Sequence, residues 1–337
     1  MHDPQLQHIA LMDNAPFALR KKAGEDFKAW QEKARAKLYE LLGMERFEKC
    51  EDKLAIEWQK ENELFDEYHL TYNTEENFRT IARLRIPKKP ACTPIPVMIC
   101  LQGHAKGMHI SLGEPKYEGD EQTINGGDRD FARQCIAQGY AAIALEQRGF
   151  GDCGGSPEGP QCHIPAMTAL MLGRTLIGER VWDISRTIDM LENYFPQLDK
   201  NKIGIMGNSG GGTATIYAAA MEPRLSAAMP SCAFCGYKES IGVQKHCVCN
   251  FVPKVFDWFD MGDLMAIFAP KPVVIVNGLH DVIFPIGSAG KQFDLTKSIY
   301  EELDAGNLCR HVIGQEGHRF YALQSWKEFN EISDWKK

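Results

Sequence analysis

Three residue types that together carry out acyl transfer occur at separate places in this 337-residue chain. Ser209 lies in the segment Gly-Asn-Ser-Gly-Gly, Asp281 ends the segment Gly-Leu-His-Asp, and His318 ends the segment Glu-Gly-His. A serine hydroxyl is a weak nucleophile, so it needs an imidazole to take its proton and a carboxylate to orient that imidazole. The three residues therefore predict a catalytic triad that attacks a carbonyl carbon.

The serine segment is predicted to form a tight turn between a strand and a helix. Residues 203–206 are an apolar run typical of a buried strand, and residues 213–220 are small and compatible with a helix. Side chains two positions before or after the serine would collide with the adjacent chain in such a turn, which accounts for the flanking glycines. The amide of Gly210, at the start of the helix, is the predicted first donor to a developing oxyanion.

The second oxyanion donor is predicted in the loop that follows the apolar run 96–101. This loop reads Gln102-Gly103-His104, and the glycine lets the chain turn inward, so the amide of His104 is the candidate donor. Gln102 is a candidate substrate contact. After the next apolar run, Arg148 is expected to hold loops together by hydrogen bonds.

The rest of the chain alternates strands and helices that would position these residues. Strands are expected at 96–101, 141–145, 203–206, 226–229, 272–276 and 310–313, and helices at 130–138, 178–194, 291–303 and from 321 onward. The alternation predicts a mostly parallel, doubly wound sheet, in which functional groups lie at the carboxyl ends of strands. Asp281 and His318 each follow such a run.

Two further regions are predicted to be accessory. Residues 1–62 are expected to form an N-terminal helical and β extension packed on a core domain of residues 63–337. The segment 231–268 is too long for a simple turn and predicts a cap-like insertion. Its aromatic residues, Tyr237 and Trp258 among them, are expected to wall the site and contact substrate, with core packing as the alternative.

The overall composition excludes several classes of partner. The net charge of −7 argues against nucleic acid and anionic membranes, which need a basic face. The N-terminal residues lack the apolar stretch of a signal peptide, and no run approaches 18 apolar residues. Eleven cysteines, an odd number, fit a reducing compartment, so we expect a cytoplasmic protein.

A second group of residues has the types that zinc prefers. Thiolate and imidazole ligands suit a tetrahedral zinc ion, but the second half of the group has the spacing CxC rather than CxxC. Cysteine is also among the residues most often buried. Buried thiols are the favoured interpretation and a structural zinc is the alternative for Cys232, Cys235, His246, Cys247 and Cys249. We expect no metal in the catalytic step.

The motifs LQGH, EQRGFGD, GNSGG, GLHD and GHRFY, spread over residues 101–321, resemble those of the α/β-hydrolase superfamily. Within it they are similar to bacterial acetyl xylan esterase and cephalosporin C deacetylase-like esterases. The resemblance implies hydrolysis of carboxylic esters, usually of acetylated sugars, through an acyl-enzyme and without a cofactor. Those esterases commonly read HGY after the third strand, whereas this chain has Gln102-Gly103-His104 there.

Two alternatives share these motifs. A serine peptidase or amidase would use the same triad with a different leaving group. A protein of another class, a noncatalytic binding protein with the hydrolase fold, would require the loss of a triad member. The expected partner is a small-molecule or carbohydrate ester, and the sequence leaves open whether the chain forms a homo-oligomer.

Overall fold

The computed structural model describes residues 2–336 and is built on one central sheet. Its nine strands are β1 (Ala55–Glu61), β2 (Phe65–Glu75), β3 (Phe78–Pro87), β4 (Ile95–Leu101), β5 (Ala141–Leu145), β6 (Leu198–Asn208), β7 (Leu225–Ser231), β8 (Val273–Gly278) and β9 (Cys309–Gly314). They lie side by side in the order β1-β2-β3-β5-β4-β6-β7-β8-β9. Strands β4 to β9 are parallel, and β1 to β3 are antiparallel to their neighbours. The predicted mostly parallel sheet is confirmed.

Helices connect the strands and cover both faces of the sheet. They are α1 (Pro4–Asp13), α2 (Phe27–Leu41), α3 (His109–Leu112), α4 (Asp120–Asn125), α5 (Phe131–Gln138), α6 (His163–Met171), α7 (Leu176–Tyr194), α8 (Gly210–Met221), α9 (Val255–Trp258), α10 (Met261–Ile267), α11 (Ile286–Glu302) and α12 (Ala322–Ile332). Within residues 2–336, no helix combines the length and the apolar composition that crossing a bilayer requires.

The two faces of the sheet enter two separate hydrophobic cores, because successive strand residues point to opposite faces. In β4, Val97 and Ile99 lie in one core and Met98 and Cys100 in the other. All seven residues of β4 are buried, as are the last six of its neighbour β6. The strand that carries the serine turn is therefore fixed on both sides and on both faces.

The N-terminal extension is joined to this sheet more closely than the sequence predicts. The helical part of the extension includes α2, an amphipathic helix that buries Trp30, Ala34 and Leu38 at helical spacing. Strand β1, however, pairs with β2 from Ala55 to Glu61, with one register shift between Ile56 and Trp58. The predicted boundary at residue 62 falls inside this hairpin, so the structure assigns 55–61 to the core sheet.

The insertion 231–268 packs down on the body of the protein. Its helix α10 starts with a capping box. The Asp260 side chain accepts from the backbone amide of Asp263, and the Asp263 side chain accepts from the backbone amide of Asp260. All seven residues of α10 are buried. The insertion also meets the N-terminus, since Gln5 donates a hydrogen bond to the carbonyl of Gly242 at 2.9 Å.

Candidate active site

Ser209 occupies the turn between β6 and α8, as predicted. Its φ of 56° and ψ of −120° are strained for a residue with a side chain. A side chain on Gly207 would put its Cβ 2.4 Å from the carbonyl oxygen of Gly211, and one on Gly211 would come within 2.3 Å of the carbonyl oxygen of Leu101. Neighbouring main-chain oxygens therefore leave no room for a side chain at either glycine, and the close packing holds the serine in this conformation.

His318 and Asp281 form a hydrogen-bonded pair at the ends of adjacent strands. His318 Nδ1 lies 2.8 Å from Asp281 Oδ2, in the loops that follow β9 and β8. The Asp281 side chain is fully buried, and its Oδ1 accepts from the amides of Ile283 and Phe284 at 2.9 and 3.3 Å. Burial favours its neutral form, but the His318 contact and these amides outweigh it and place the pKa of Asp281 below its usual value. The carboxylate is thus ionised and oriented.

The serine turn and the histidine pair converge through the end of β7. The Ser209 amide donates to the carbonyl of Ser231 at 2.8 Å. The next residue, Cys232, has its sulfur within 4.8 Å of the facing polar atoms of Asp281 and His318. Within residues 2–336 the Ser209 hydroxyl makes no hydrogen bond. The contact from Ser209 to His318 stays a prediction, and catalytic hydrogen bonds are often longer before substrate binds.

Both predicted oxyanion amides border the serine. Gly210 is the first residue of α8, and within residues 2–336 neither its N–H nor that of His104 donates a hydrogen bond. The His104 loop lies against the turn, because a Cβ on Gly103 would sit 3.1 Å from the Ser209 Cβ. Two unpaired amides beside the nucleophile are what an oxyanion requires.

The imidazole of His104 has partners that the sequence does not predict. Its Nε2 lies 3.1 Å from the sulfur of Cys249. Burial disfavours the charged imidazole, but hydrogen bonds to Cys247 and Cys249 raise the pKa of His104 to about 9. The edge of the ring faces the serine turn, because a Cβ on Gly210 would lie 2.6 Å from His104 Cε1 and Nδ1. We call the four residues that meet here the sulfur cluster: His104, Cys162, Cys247 and Cys249.

Gln102 is buried under the site. It is 1% exposed, and its amide nitrogen donates to Glu146 Oε1 at 2.7 Å. Glu146 also accepts from the Met108 amide, and burial raises the pKa of its carboxyl to about 8. This position makes Gln102 a support for the loop that carries His104. Arg148 ties the loop after β5 to helix α7, through hydrogen bonds to Asp183 at 2.8 Å.

The two aromatic residues predicted to contact substrate are both packed against other side chains. Tyr237 is 2% exposed and its hydroxyl is hydrogen-bonded to that of Tyr217. Trp258 packs against the main core, and the amine of Lys37 lies 4.4 Å from its ring centre. Both are held by packing because the insertion folds back on α2 and α8. The alternative of core packing therefore describes them.

Two residues beside the site, Phe284 and Arg129, carry no signal in the sequence, and a third, His246, is marked there only as a possible zinc ligand. Phe284 stacks on His318 with ring centres 6.0 Å apart, and the rings of His246 and Phe284 make a T-shaped contact with centres 5.5 Å apart. Arg129 donates to the carbonyl of His318 at 3.2 Å. Each is brought in by a loop whose path depends on tertiary packing.

The cysteine group proposed from the sequence divides into two parts. Cys232 and Cys235 are fully buried, and their thiols donate to the carbonyls of Arg319 and Gly236. His246 instead lies 2.9 Å from the hydroxyl of Ser240. Only Cys247 and Cys249 belong to the sulfur cluster, where His104 and Cys162 replace the other predicted ligands.

A strained serine after a central parallel strand, followed by an acid and a histidine after later strands, is the arrangement of an α/β-hydrolase. The family profile described as Abhydrolase family matches residues 8–304, and the chain belongs to that family. The predicted fold class and superfamily are confirmed.

Three relatives illustrate the similarity. The Bacillus subtilis (strain 168) protein named "Putative hydrolase YtaP" is 24% identical over 237 residues, which are 68% of this chain and 76% of that protein. A Bacteroides fragilis NCTC 9343 structure described as "a putative acetyl xylan esterase" has a TM-score of 0.77 at 14% identity, covering 98% of this chain and 90% of the other. A glucuronoyl esterase from Solibacter usitatus has a TM-score of 0.69 at 16% identity, with coverages of 95% and 97%. At these identities the superpositions establish the fold.

Proposed function

We propose that the protein is a serine hydrolase that cleaves carboxylic esters of small or carbohydrate substrates through an acyl-enzyme on Ser209. The observation that carries the proposal is the 2.8 Å contact from His318 Nδ1 to the buried, ionised Asp281. This contact fixes the imidazole so that Nε2 is the nitrogen left for proton transfer. An ionised carboxylate that orients a histidine, together with a serine in a strained turn, is the set of groups that acyl transfer uses.

The reaction follows from these positions. Ser209 Oγ attacks the ester carbonyl as His318 Nε2 takes its proton, and the amides of Gly210 and His104 stabilise the oxyanion. The imidazolium returns the proton to the leaving alcohol, which departs as the acyl-enzyme forms. Water then repeats the sequence and releases the acid and the free serine. Asp281 stays ionised throughout and stabilises the imidazolium.

The surroundings favour a hydroxyl-rich alcohol. A cavity of about 260 Å³ borders His104 and Arg129, and Lys106, Asp120 and Glu158 also line it. Charged and polar side chains of this kind hydrogen-bond a sugar better than an alkyl chain. The names of the two structural neighbours, an acetyl xylan esterase and a glucuronoyl esterase, support a carbohydrate ester.

A fluorophosphonate probe tests the nucleophile. We expect one adduct, at Ser209, with labelling lost in Ser209→Ala and retained in Ser226→Ala, whose hydroxyl is bonded to a strand carbonyl far from the turn. Labelling of another serine would contradict the mechanism. Absence of labelling and of ester hydrolysis would favour the noncatalytic binding protein.

A substrate panel tests the class of ester. We would compare kcat/KM for acetyl, propionyl, butyryl and octanoyl esters of one alcohol, for acetylated xylo-oligosaccharides and methyl glucuronates, and for peptide amides. We expect the short acyl esters and sugar esters to lead, because the structural neighbours named above are described as an acetyl xylan esterase and a glucuronoyl esterase. A maximum at octanoate would refute the small-acyl assignment, and preferred cleavage of amides would favour a peptidase.

We also propose a cytoplasmic location. All eleven cysteines are free thiols, which supports a reducing compartment. Fractionation of the native host with antibodies against the chain tests this, and recovery in the extracellular medium would refute it.

A further inference from the structure

The sulfur cluster brings together side chains from three separate loops. His104 comes from the loop after β4, Cys162 caps the start of α6, and Cys247 and Cys249 belong to the insertion 231–268. Their side-chain nitrogen and sulfur atoms all lie within 4.8 Å of one another. The triad uses none of these sulfurs, so the acyl-transfer mechanism does not account for the convergence.

The atoms match the ligand set and size of one metal. Three sulfurs and one imidazole nitrogen are a familiar tetrahedral zinc set, with Zn–S near about 2.3 Å and Zn–N near about 2.0 Å. A tetrahedron with those bonds has ligand-to-ligand edges of about 3.5 to 3.8 Å. His104 Nε2 lies 3.1 Å from Cys249 Sγ, and every other pair of ligand atoms lies within 4.8 Å. Small side-chain rotations would bring these distances to the edges of that tetrahedron.

Arg180 places a buried positive charge directly against two of the sulfurs. It is 1% exposed, and its guanidinium donates to Cys249 Sγ at 3.3 Å and Cys162 Sγ at 3.2 Å. Its remaining acceptor is the Arg148 carbonyl, and no carboxylate in the described part of the chain pairs with it. A buried cation needs a counter-charge, which neutral thiols do not supply.

A zinc ion makes the charges balance. Three thiolates and one Zn²⁺ carry a net charge of −1, and the Arg180 guanidinium offsets it with +1. The surroundings are apolar, since Phe150, Ala166 and Leu176 form a small core with the two buried cysteines. A neutral assembly is the form such a core accommodates.

We propose that the sulfur cluster is a structural zinc site, with Arg180 as the hydrogen-bond donor to two of its thiolates. The metal joins the loop that supplies the second oxyanion amide to α6 and to the insertion. It takes no part in bond cleavage. A closed set of four protein ligands leaves no position for water or substrate, which distinguishes it from a catalytic zinc.

Cobalt substitution of the full-length protein tests the site directly. Metal-stripped, reduced protein titrated with Co²⁺ should develop the visible bands of tetrahedral thiolate-bound cobalt, saturating at about one ion per chain, and Zn²⁺ should displace them. Failure of the wild-type protein to bind either ion tightly would overturn the proposal. So would a disulfide between cluster cysteines in protein isolated and alkylated without reductant.

Variants locate the bound metal. Cys247→Ser replaces a half-buried ligand with little change in volume, and Cys162→Ser replaces a buried one; each should weaken Co²⁺ binding at least about tenfold. The matched controls Cys235→Ser and Cys232→Ser change buried thiols outside the cluster and should bind Co²⁺ as the wild type does. Binding that survives both ligand changes but fails in Cys232→Ser would move the metal to the triad and refute the assignment. Circular dichroism of each apo-variant separates misfolding from ligand loss.

Discussion

The proposed triad and the sulfur cluster meet at the first residue of α8, and they are held by different means. Asp281 and His318 follow neighbouring parallel strands, so the ladder from β6 to β9 sets their separation. The sulfur cluster is assembled from loops that share no ladder. The comparison shows that a sheet can position side chains by backbone pairing alone. Loops need a side-chain contact or a bound metal to position side chains with the same accuracy.

The largest effect should come from the nucleophile. Ser209→Ala removes one oxygen at a position where backbone strain is already accommodated, so the fold and the cobalt spectrum should stay unchanged. We expect kcat for ester hydrolysis to fall by about 10⁶-fold. Steady-state kinetics beside cobalt titration measures both; loss of the cobalt bands in this variant would show that the two regions are not separately held.

The histidine pair should act with the serine as one unit. Asp281→Asn keeps the shape but favours the wrong tautomer of His318, and we expect kcat to fall by about 10⁴-fold. The double variant Ser209→Ala, Asp281→Asn should be little worse than Ser209→Ala alone. Multiplicative losses in this cycle would show that Asp281 does not work through the triad.

A smaller loss should follow from disturbing the contact between the two regions. In Gly210→Ala the new Cβ would meet the His104 ring at 2.6 Å, so the ring must move. We expect kcat/KM to fall by about ten- to hundredfold, because an oxyanion donor is displaced, and Co²⁺ affinity to fall with it. The control is Gly290→Ala on α11, where nothing among residues 2–336 outside the helix's own backbone lies within 4 Å of the new Cβ, so activity should be retained. Normal cobalt affinity in Gly210→Ala would show that this contact does not couple the serine turn to the sulfur cluster.

The smallest effect concerns Glu146, a strand-end carboxyl that is buried under the site rather than open to it. Burial raises its pKa to about 8 in the folded protein, above the usual value of 4.5. The folded state therefore holds a proton that the unfolded chain has lost, so this contribution to stability is full below about pH 4.5 and declines as pH rises toward 8, by about 1.4 kcal/mol per unit. Urea unfolding at about pH 5 and pH 8 should show a smaller decline for Glu146→Gln than for the wild type. An equal decline in the free energy of unfolding of the two proteins would contradict the raised pKa of Glu146.

The sequence predicts the sheet, and it places the residues of the proposed triad at strand ends, because both depend on local patterns. Apolar runs such as 203–206 reveal strands, and the residue after a strand end needs no long-range information. The loops do not follow such rules. The ring contacts of His104 depend on where α6 and the insertion pack, and α6 itself has Pro165 in its first turn and was not among the predicted helices. The aromatic content of the insertion does not reveal the direction in which it folds. The sequence therefore predicts Tyr237 and Trp258 at the site, whereas the structure packs both against the body of the protein.

The crowding around the serine turn also predicts how relatives of this chain vary. Gly207 and Gly211 face main-chain oxygens, which every member of the fold retains, so those two positions should tolerate no substitution. The three atoms nearest to a Cβ on Gly210 all belong to the ring at position 104. In an alignment of relatives, positions 104 and 210 should therefore change together, a larger residue at 210 appearing where the histidine at 104 has been replaced by a smaller side chain.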